Sequence, residues 1–252
     1  MRELVDAVAA ATREAGALAL SRWRGEFKSW DKLPGDIVSE VDLAVNDLLR
    51  ERLTALDPHA GWLSEETADS PERLSKRRAW IVDPIDGTRD FVRGRPGWCV
   101  SVALVEDGLS RIGVLDAPAR DEHWLAVRGA GATLNGETLY ASSRTDLHGA
   151  RVPADALSKA DQKIFEIVAK PNSIALRMAL VAADRADLLA SQRWGSEWDI
   201  AAAALIVEEA GARVTDAHGV PLRFNQPRAQ QYGVLASAPA IHAAAVARLL
   251  KA

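Results

Sequence analysis

A short apolar run at residues 80–82 leads directly into two aspartates, Asp83 and Asp86, and then into Gly87. The run has the β-prone composition of a buried strand, and α/β folds collect ligand sites at the carboxyl ends of strands. Pro84 stiffens the backbone and Gly87 permits a sharp turn, so the two carboxylates can converge. Two hard oxygen ligands beside exposed amides suit Mg²⁺ holding a phosphate, although an ordinary turn after a strand would look the same.

Composition narrows the class of protein. The chain has 252 residues, which is enough for one large domain or for two small domains that share an interface. A net charge of −4 argues against a surface that binds nucleic acid through its phosphates. A single cysteine, Cys99, excludes a disulfide framework and a cysteine-based zinc site. The sequence has no membrane-spanning run and no signal-peptide core, so we expect a cytoplasmic protein.

Hydrophobic periodicity indicates a mixed α and β protein whose helices pack on the faces of sheets. It predicts helices over 3–23, 40–56, 173–183, 198–210 and 240–250, and strands over 61–64, 79–82, 98–105, 111–117, 123–127, 186–190, 213–215 and 232–237. We expect a mobile loop at 28–35, turns at 129–136 and weak helix after residue 155. We place the boundary between two subdomains so that they span residues 1–145 and 146–252.

Other acidic residues lie where they can join the first two aspartates. Glu65 follows the short strand 61–64, and Asp199 opens the helix 198–210. Asp36 and Asp42 flank the start of the helix 40–56, where Ser39 is a good N-cap. Helix capping explains several of these acids one at a time. Their joint occurrence favours a metal site.

With these motifs assembled, the chain resembles the inositol monophosphatase family over nearly its whole length. The matching segments are Asp36–Asp42 (family D-x-V-[ST]-x-x-D), Ser64–Glu66 (family GEE), Asp83–Thr88 (family DPIDGT) and Trp198–Ala202 (family WDxAA). The resemblance implies an α+β fold, the layered αβαβα sandwich of Mg²⁺-dependent, lithium-sensitive phosphatases. Relatives are commonly homodimers, so we expect a homodimer here.

The resemblance also implies a set of metal ligands. Glu65, Asp83 and the backbone carbonyl of Ile85 would hold a first Mg²⁺. Asp83, Asp86 and Asp199 would hold a second, with two or three ions per site in all.

Further roles carried over from the family concern the phosphate and the attacking water. The backbone N–H groups of Gly87 and Thr88 would hold the phosphate at the N-terminus of a helix. Thr88, hydrogen-bonded to Asp42, would orient and activate the water together with Glu65.

The substrate is less well specified than the chemistry. Family members that hydrolyse inositol phosphates usually have a glutamate about seven residues before the WD aspartate, and here Glu197 or Gln192 is the candidate substitute. Arg177 resembles a basic residue of relatives that remove the 3′-phosphate of 3′-phosphoadenosine 5′-phosphate, where Trp194 could stack on the base. Residues 88–91 also resemble histidinol-phosphate phosphatases. We expect an inositol-1-monophosphatase-like enzyme, with these two activities as alternatives.

A second class of phosphatase is disfavoured on physical grounds, and a protein that is not an enzyme is a further alternative. Phosphatases of the haloacid dehalogenase type carry D-x-D-G-T with a nucleophilic first aspartate, whereas Pro84 and Ile85 separate the two aspartates here. A non-catalytic metal-binding protein of the same fold is the other alternative.

Overall fold

The computed structural model of the protein describes residues 2–250. The helices are α1 (Arg2–Arg22), α2 (Glu40–Leu56), α3 (Thr88–Val92), α4 (Ile174–Ala182), α5 (Glu197–Glu209) and α6 (His242–Leu249). The strands are β1 (Ser29–Leu33), β2 (Asp36–Ser39), β3 (Gly61–Ser64), β4 (Arg78–Asp86), β5 (Cys99–Glu106), β6 (Leu109–Ala117), β7 (Glu122–Val127), β8 (Gly131–Leu134), β9 (Glu137–Thr138), β10 (Ala150–Pro153), β11 (Phe165–Val168), β12 (Leu188–Ser196), β13 (Arg213–Thr215) and β14 (Gln230–Ser237).

A seven-stranded sheet forms the centre of the molecule, in the order β3-β4-β5-β6-β7-β8-β9. Strands β3 and β4 are parallel, and every other neighbouring pair in this sheet is antiparallel. The central strands β4, β5 and β6 are buried on both faces, because their side chains alternate between two hydrophobic clusters. On β4, Trp80 and Val82 pack with α1 and α2, and Ile81 packs with α4 and α5.

Five layers result from this packing. Helices α1 and α2 cover one face of the large sheet, and α4 and α5 cover the other. Beyond them lies a three-stranded antiparallel sheet, β12-β14-β13, and α6 packs on its outer side. Helix α5 approaches β6 so closely that a Cβ atom at Gly113 would lie 2.6 Å from the carbonyl oxygen of Ala202. The layered αβαβα sandwich predicted from the sequence is confirmed.

The predicted helices agree with the structure to within a few residues. Ser39 caps α2 as predicted, and it forms a capping box with Asp42, whose carboxylate accepts hydrogen bonds from the Ser39 backbone N–H and hydroxyl. The predicted strand 186–190 is longer in the structure, where β12 continues to Ser196.

Two predicted segments are wrong in detail. Residues 28–35, expected to be a loop, form most of the hairpin β1–β2, and the Pro34-Gly35 turn was the available signal for it. The segment after residue 155 has only one turn of 3₁₀ helix, Asp161–Lys163, and β11 pairs there with β10. Residues 129–136, expected to be turns, contain the strand β8 with a turn on each side of it.

One hydrophobic cluster includes residues from both sides of the proposed subdomain boundary. Ile81 and Trp124 pack in it together with Met178 and Leu205. The division at residues 145/146 stays a prediction. Within residues 2–250, no helix is both long and apolar enough to cross a membrane.

Candidate active site

A β-bulge at the end of β4 brings the two aspartates of the opening motif to the same side of the sheet. Asp83 pairs with Ser101 and Asp86 with Cys99, so three steps along β4 match two steps along β5. In a regular strand, residues three positions apart face opposite sides. The extra residue of the bulge removes that alternation and lets both carboxylates reach one pocket.

Two further elements bring acidic side chains to Asp83. Glu65 follows β3, which runs parallel to β4, and its backbone N–H donates to Val82 O over 3.3 Å. Asp199 lies in the first turn of α5 and accepts the backbone N–H of Ser196 over 3.0 Å. Burial raises the pKa of Asp83 well above its usual value, and the charges of Glu65, Asp86 and Asp199 raise it further.

Protein donors hold these carboxylates in their present positions. Asp86 accepts the Ser173 hydroxyl over 2.5 Å and the Ala175 N–H over 2.7 Å, and Asp83 accepts the Ile85 N–H over 3.0 Å. Among residues 2–250, no three acidic, histidine or cysteine side chains are arranged to chelate an ion. The carboxylates would therefore rotate away from these donors when an ion binds.

The chemistry of the donor set nevertheless fits a hard divalent cation. Every side chain in the cluster offers carboxylate oxygens, the ligands that Mg²⁺ prefers. Burial raises the pKa of Glu65, Asp86 and Asp199 as it does that of Asp83, so the protein's own donors compensate their charged forms only in part. A bound dication would supply that compensation.

Lys32 is a charged neighbour that the sequence did not reveal. It reaches from the hairpin β1–β2, and its ammonium donates to Glu65 over 3.0 Å and to Glu66 over 2.8 Å. Burial lowers the pKa of Lys32, but the hydrogen bonds and charges of both glutamates outweigh it, so the net shift is upward. Lys32 therefore neutralises part of the acidic cluster.

A threonine–aspartate pair lies beside the carboxylates. The Thr88 hydroxyl lies 3.2 Å from Asp42 Oδ1 and 3.0 Å from the Ile85 carbonyl oxygen. The other Asp42 oxygen is held by Ser39. Burial raises the pKa of Asp42 to about 7, against the opposing effect of the Ser39 hydrogen bonds. Asp42 thus keeps one oxygen directed at Thr88.

Gly87 occupies a backbone conformation and a space that exclude a side chain. Its φ is +98°, and a Cβ atom there would lie 2.7 Å from Gly97 O and 3.0 Å from Ser173 N. Gly87 is followed by α3, which is only five residues long, Thr88–Val92. The turn therefore lies against the segment that holds Asp86.

Glu197 and Gln192 make contacts that argue against the substrate roles considered for them. Glu197 is fully buried, and its carboxylate accepts the backbone N–H groups of Asn225 and Gln226 over 2.6 and 3.0 Å. Glu197 therefore fixes a loop. Gln192 is exposed and donates to Leu249 O over 2.8 Å, away from the carboxylates.

Arg177 and Trp194 differ in how far they are available to a ligand. Arg177 is half-buried, and two of its guanidinium nitrogens donate to the carbonyl oxygens of Pro171 and Asn172. It therefore braces the segment before Ser173, which argues against its predicted grip on a second phosphate. Trp194 is 54% exposed and lines a cleft together with Asp199, where a ligand can reach it.

Comparison with known sequences gives a consistent family. The model of the inositol monophosphatase family matches residues 1–252. A fructose-1,6-bisphosphatase/inositol-1-monophosphatase of Thermotoga maritima is 35% identical over 217 residues, which cover 82% of each chain. A histidinol-phosphatase of Mycobacterium tuberculosis is 37% identical over 200 residues, which cover 73% of this chain and 75% of that protein.

Solved structures agree with this result. The extragenic suppressor protein suhB of Bartonella henselae superposes with a TM-score of 0.85 at 27% identity, covering 99% of both chains. An IMPase of Thermotoga maritima superposes with a TM-score of 0.83 at 30% identity, covering 100% of this chain and 98% of that one. Sequence motifs, layer order and comparisons thus lead to one conclusion: the chain belongs to the inositol monophosphatase family of phosphatases.

Proposed function

We propose that the protein is a Mg²⁺-dependent phosphomonoesterase that hydrolyses a small phosphorylated metabolite with water as the nucleophile. The observation that carries the proposal is the group of buried and half-buried carboxylates around the bulged end of β4, with raised pKa values and the Thr88–Asp42 pair beside it. Such a group costs stability unless positive charge joins it, which is typical of a site built for cations and an anionic substrate.

The metal-binding residues proposed here are those that the family resemblance implies. Glu65, Asp83 and the Ile85 carbonyl would hold one Mg²⁺, and Asp83, Asp86 and Asp199 would hold another. Two ions in such a site supply positive charge to both the entering and the leaving oxygen. Millimolar Li⁺ would inhibit by competing for the weaker site.

The remaining steps belong to the protein's own groups. The Gly87–Thr88 turn would orient the phosphate through its backbone N–H groups. The Thr88 hydroxyl, positioned by Asp42 and the Ile85 carbonyl, would accept a hydrogen bond from the attacking water. As the water loses a proton to Thr88, the hydroxyl would give its own proton to Asp42. The water oxygen would bond to phosphorus as the ester P–O bond breaks, and the departing alkoxide would take up a proton from solvent water.

Two substitutions of Thr88, one that removes the hydroxyl and one that keeps it, test the proposal. Thr88→Val keeps the shape of the side chain and removes the hydroxyl, so kcat for p-nitrophenyl phosphate should fall about a hundredfold at saturating Mg²⁺. Thr88→Ser keeps the hydroxyl and should retain most of the activity. Hydrolysis that is equally fast after chelation of all divalent cations, or a fully active Thr88→Val enzyme, would refute the proposed mechanism.

The identity of the ester is a separate question. An inositol phosphate was the first expectation, yet Glu197 and Gln192, the residues considered for contacting its hydroxyls, are directed elsewhere. A substrate panel of inositol 1-phosphate, 3′-phosphoadenosine 5′-phosphate, histidinol phosphate and fructose 1,6-bisphosphate separates the candidate activities.

A further inference from the structure

A small cleft lies directly beside Asp199, one of the residues proposed to hold the second ion. Its volume is about 150 Å³, and its walls include Ile174, Arg193, Trp194 and Gln231. Sites that enclose a whole ligand usually exceed about 300 Å³, so this cleft fits one group of a substrate.

A second β-bulge directs Arg193 into this cleft. Along β12 and β14, Ser191 pairs with Val234 and Trp194 with Tyr232, so two residues of β12 oppose the single Gly233. Gly233 has a φ of +71°, and a Cβ atom there would lie 2.3 Å from Ser191 O. Of the two bulged residues, Gln192 is tied outward to Leu249 O, whereas Arg193 lines the cleft. Bulges beside active sites commonly redirect a side chain in this way.

The guanidinium of Arg193 carries a positive charge that the described protein does not neutralise. Among residues 2–250, no carboxylate oxygen lies within 4.0 Å of it. Asp199, the acidic residue of the same cleft, is capped by the Ser196 N–H and belongs to the carboxylate cluster. An anionic group entering the cleft would meet a planar donor suited to carboxylate and phosphate.

Trp194 gives the cleft a flat wall. Arg228 lies 4.3 Å from the centre of its ring, and Tyr232 packs edge-on against it at 5.4 Å, so the indole is braced although half of it is exposed. If the alcohol part of the substrate were a polyol, the cleft would need several neutral groups to hydrogen-bond its hydroxyls. Gln231, the amide of the cleft, already donates to Arg223 O over 2.7 Å.

We propose that the alcohol part of the ester is a flat ring that carries a second negative charge. The ring packs against Trp194 and the charge pairs with Arg193. The inference rests on the proposed phosphatase function and narrows its substrate class, because neutral polyols lack both features. Arg193 acts in this scheme as a specificity-determining residue.

Synthetic aryl phosphates test the proposal without knowledge of the natural substrate. We compare kcat/KM for 4-carboxyphenyl phosphate and for hydroquinone bisphosphate with kcat/KM for p-nitrophenyl phosphate, which lacks the second charge. Arg193→Met should lower both ratios about tenfold or more, since a charge-assisted contact is lost. The larger of the two losses shows whether a carboxylate or a phosphate is preferred. Differences in leaving-group reactivity cancel when variants are compared.

Three controls make the result interpretable. Arg193→Lys keeps the charge and should restore most of each ratio, whereas Arg213→Met removes an exposed cation outside the cleft and should leave the ratios unchanged. Trp194→Leu should weaken all aryl phosphates relative to inositol 1-phosphate. Unchanged ratios in a folded Arg193→Met enzyme, or a wild-type preference for inositol 1-phosphate over both anionic esters, would overturn the inference. These outcomes differ from a failure of the proposed phosphatase function, in which the wild-type protein would hydrolyse none of the esters.

Discussion

At the scale of single residues, the site is a local concentration of like charge. Asp83 is 1% exposed, and burial together with its acidic neighbours raises its pKa. Asp187 is equally buried but has the opposite environment, since hydrogen bonds from Arg151 outweigh the effect of burial and hold its pKa at about 2. The Asp83 carboxylate therefore destabilises the ion-free fold at neutral pH, whereas the Asp187 carboxylate stabilises it.

The two aspartates should respond oppositely to the same substitution. Asp83→Asn keeps an acceptor for the Ile85 N–H and removes a repelling charge, so the ion-free protein should gain about 1–2 kcal/mol in free energy of unfolding. Asp187→Asn loses the ion pair with Arg151 and should lose about 2 kcal/mol. Urea unfolding at pH 7 in the presence of a chelator measures both. Destabilisation by Asp83→Asn would mean that the cluster is not repulsive.

At the scale of elements, the bulge in β4 and the Gly87 turn determine where the functional groups point. The Gly87 turn needs a glycine for two independent reasons, its φ of +98° and the backbone atoms around it. Gly136 has a similar φ of +86°, but nothing lies within 4 Å of the Cβ position there. Comparing Gly87 with Gly136 therefore separates the free-energy cost of a left-handed backbone from the cost of crowding against neighbouring atoms.

Alanine substitutions at these glycines should differ in size. Gly136→Ala should cost about 1 kcal/mol of unfolding free energy from the left-handed conformation alone. Gly87→Ala should cost about 3 kcal/mol or more, because Gly97 and Ser173 must also move, and activity should fall with it. Equal losses in urea unfolding would show that the Gly87 turn is not crowded.

Sequence patterns predicted those features that depend on local chemistry. The helix from residue 40 and its capping by Ser39 follow from side-chain types at fixed spacing. The bulge that redirects Arg193 depends on the pairing of β12 with β14, which lie more than 30 residues apart, so no local pattern reveals it. Lys32 and Ser173 reach the carboxylates through tertiary packing in the same way.

At the scale of the whole molecule, the layers join through contacts that respond to pH. His242 links α6 to the smaller sheet, with Nδ1 2.8 Å from Ser237 Oγ and Nε2 3.1 Å from Thr215 Oγ1. Burial lowers its pKa from 6.5 to about 4, so the native state holds the neutral imidazole. The unfolded chain binds this proton more readily, and stability is therefore lost as the pH falls from 6.5 to about 4.

A variant that does not titrate should remove this part of the pH dependence. Between pH 6.5 and pH 4, wild type should lose on the order of 2–3 kcal/mol more of unfolding free energy than His242→Gln. Glutamine can still hydrogen-bond to the neighbouring hydroxyls, and the acidic groups titrate alike in both proteins. Parallel stability curves over this pH range would mean that His242 is not buried in its neutral form.

The central proposal is that the carboxylates gathered at the end of β4 would hold two ions, with Asp83 as a ligand of both. Calorimetric titration of the chelator-treated protein with Mg²⁺, in wild type and in Asp83→Asn, tests it most directly. We expect wild type to bind at least two ions per chain and Asp83→Asn to lose measurable binding at both positions. Wild-type protein that binds no Mg²⁺ at millimolar concentration, or Asp83→Asn protein with unchanged stoichiometry and affinity, would contradict the claim.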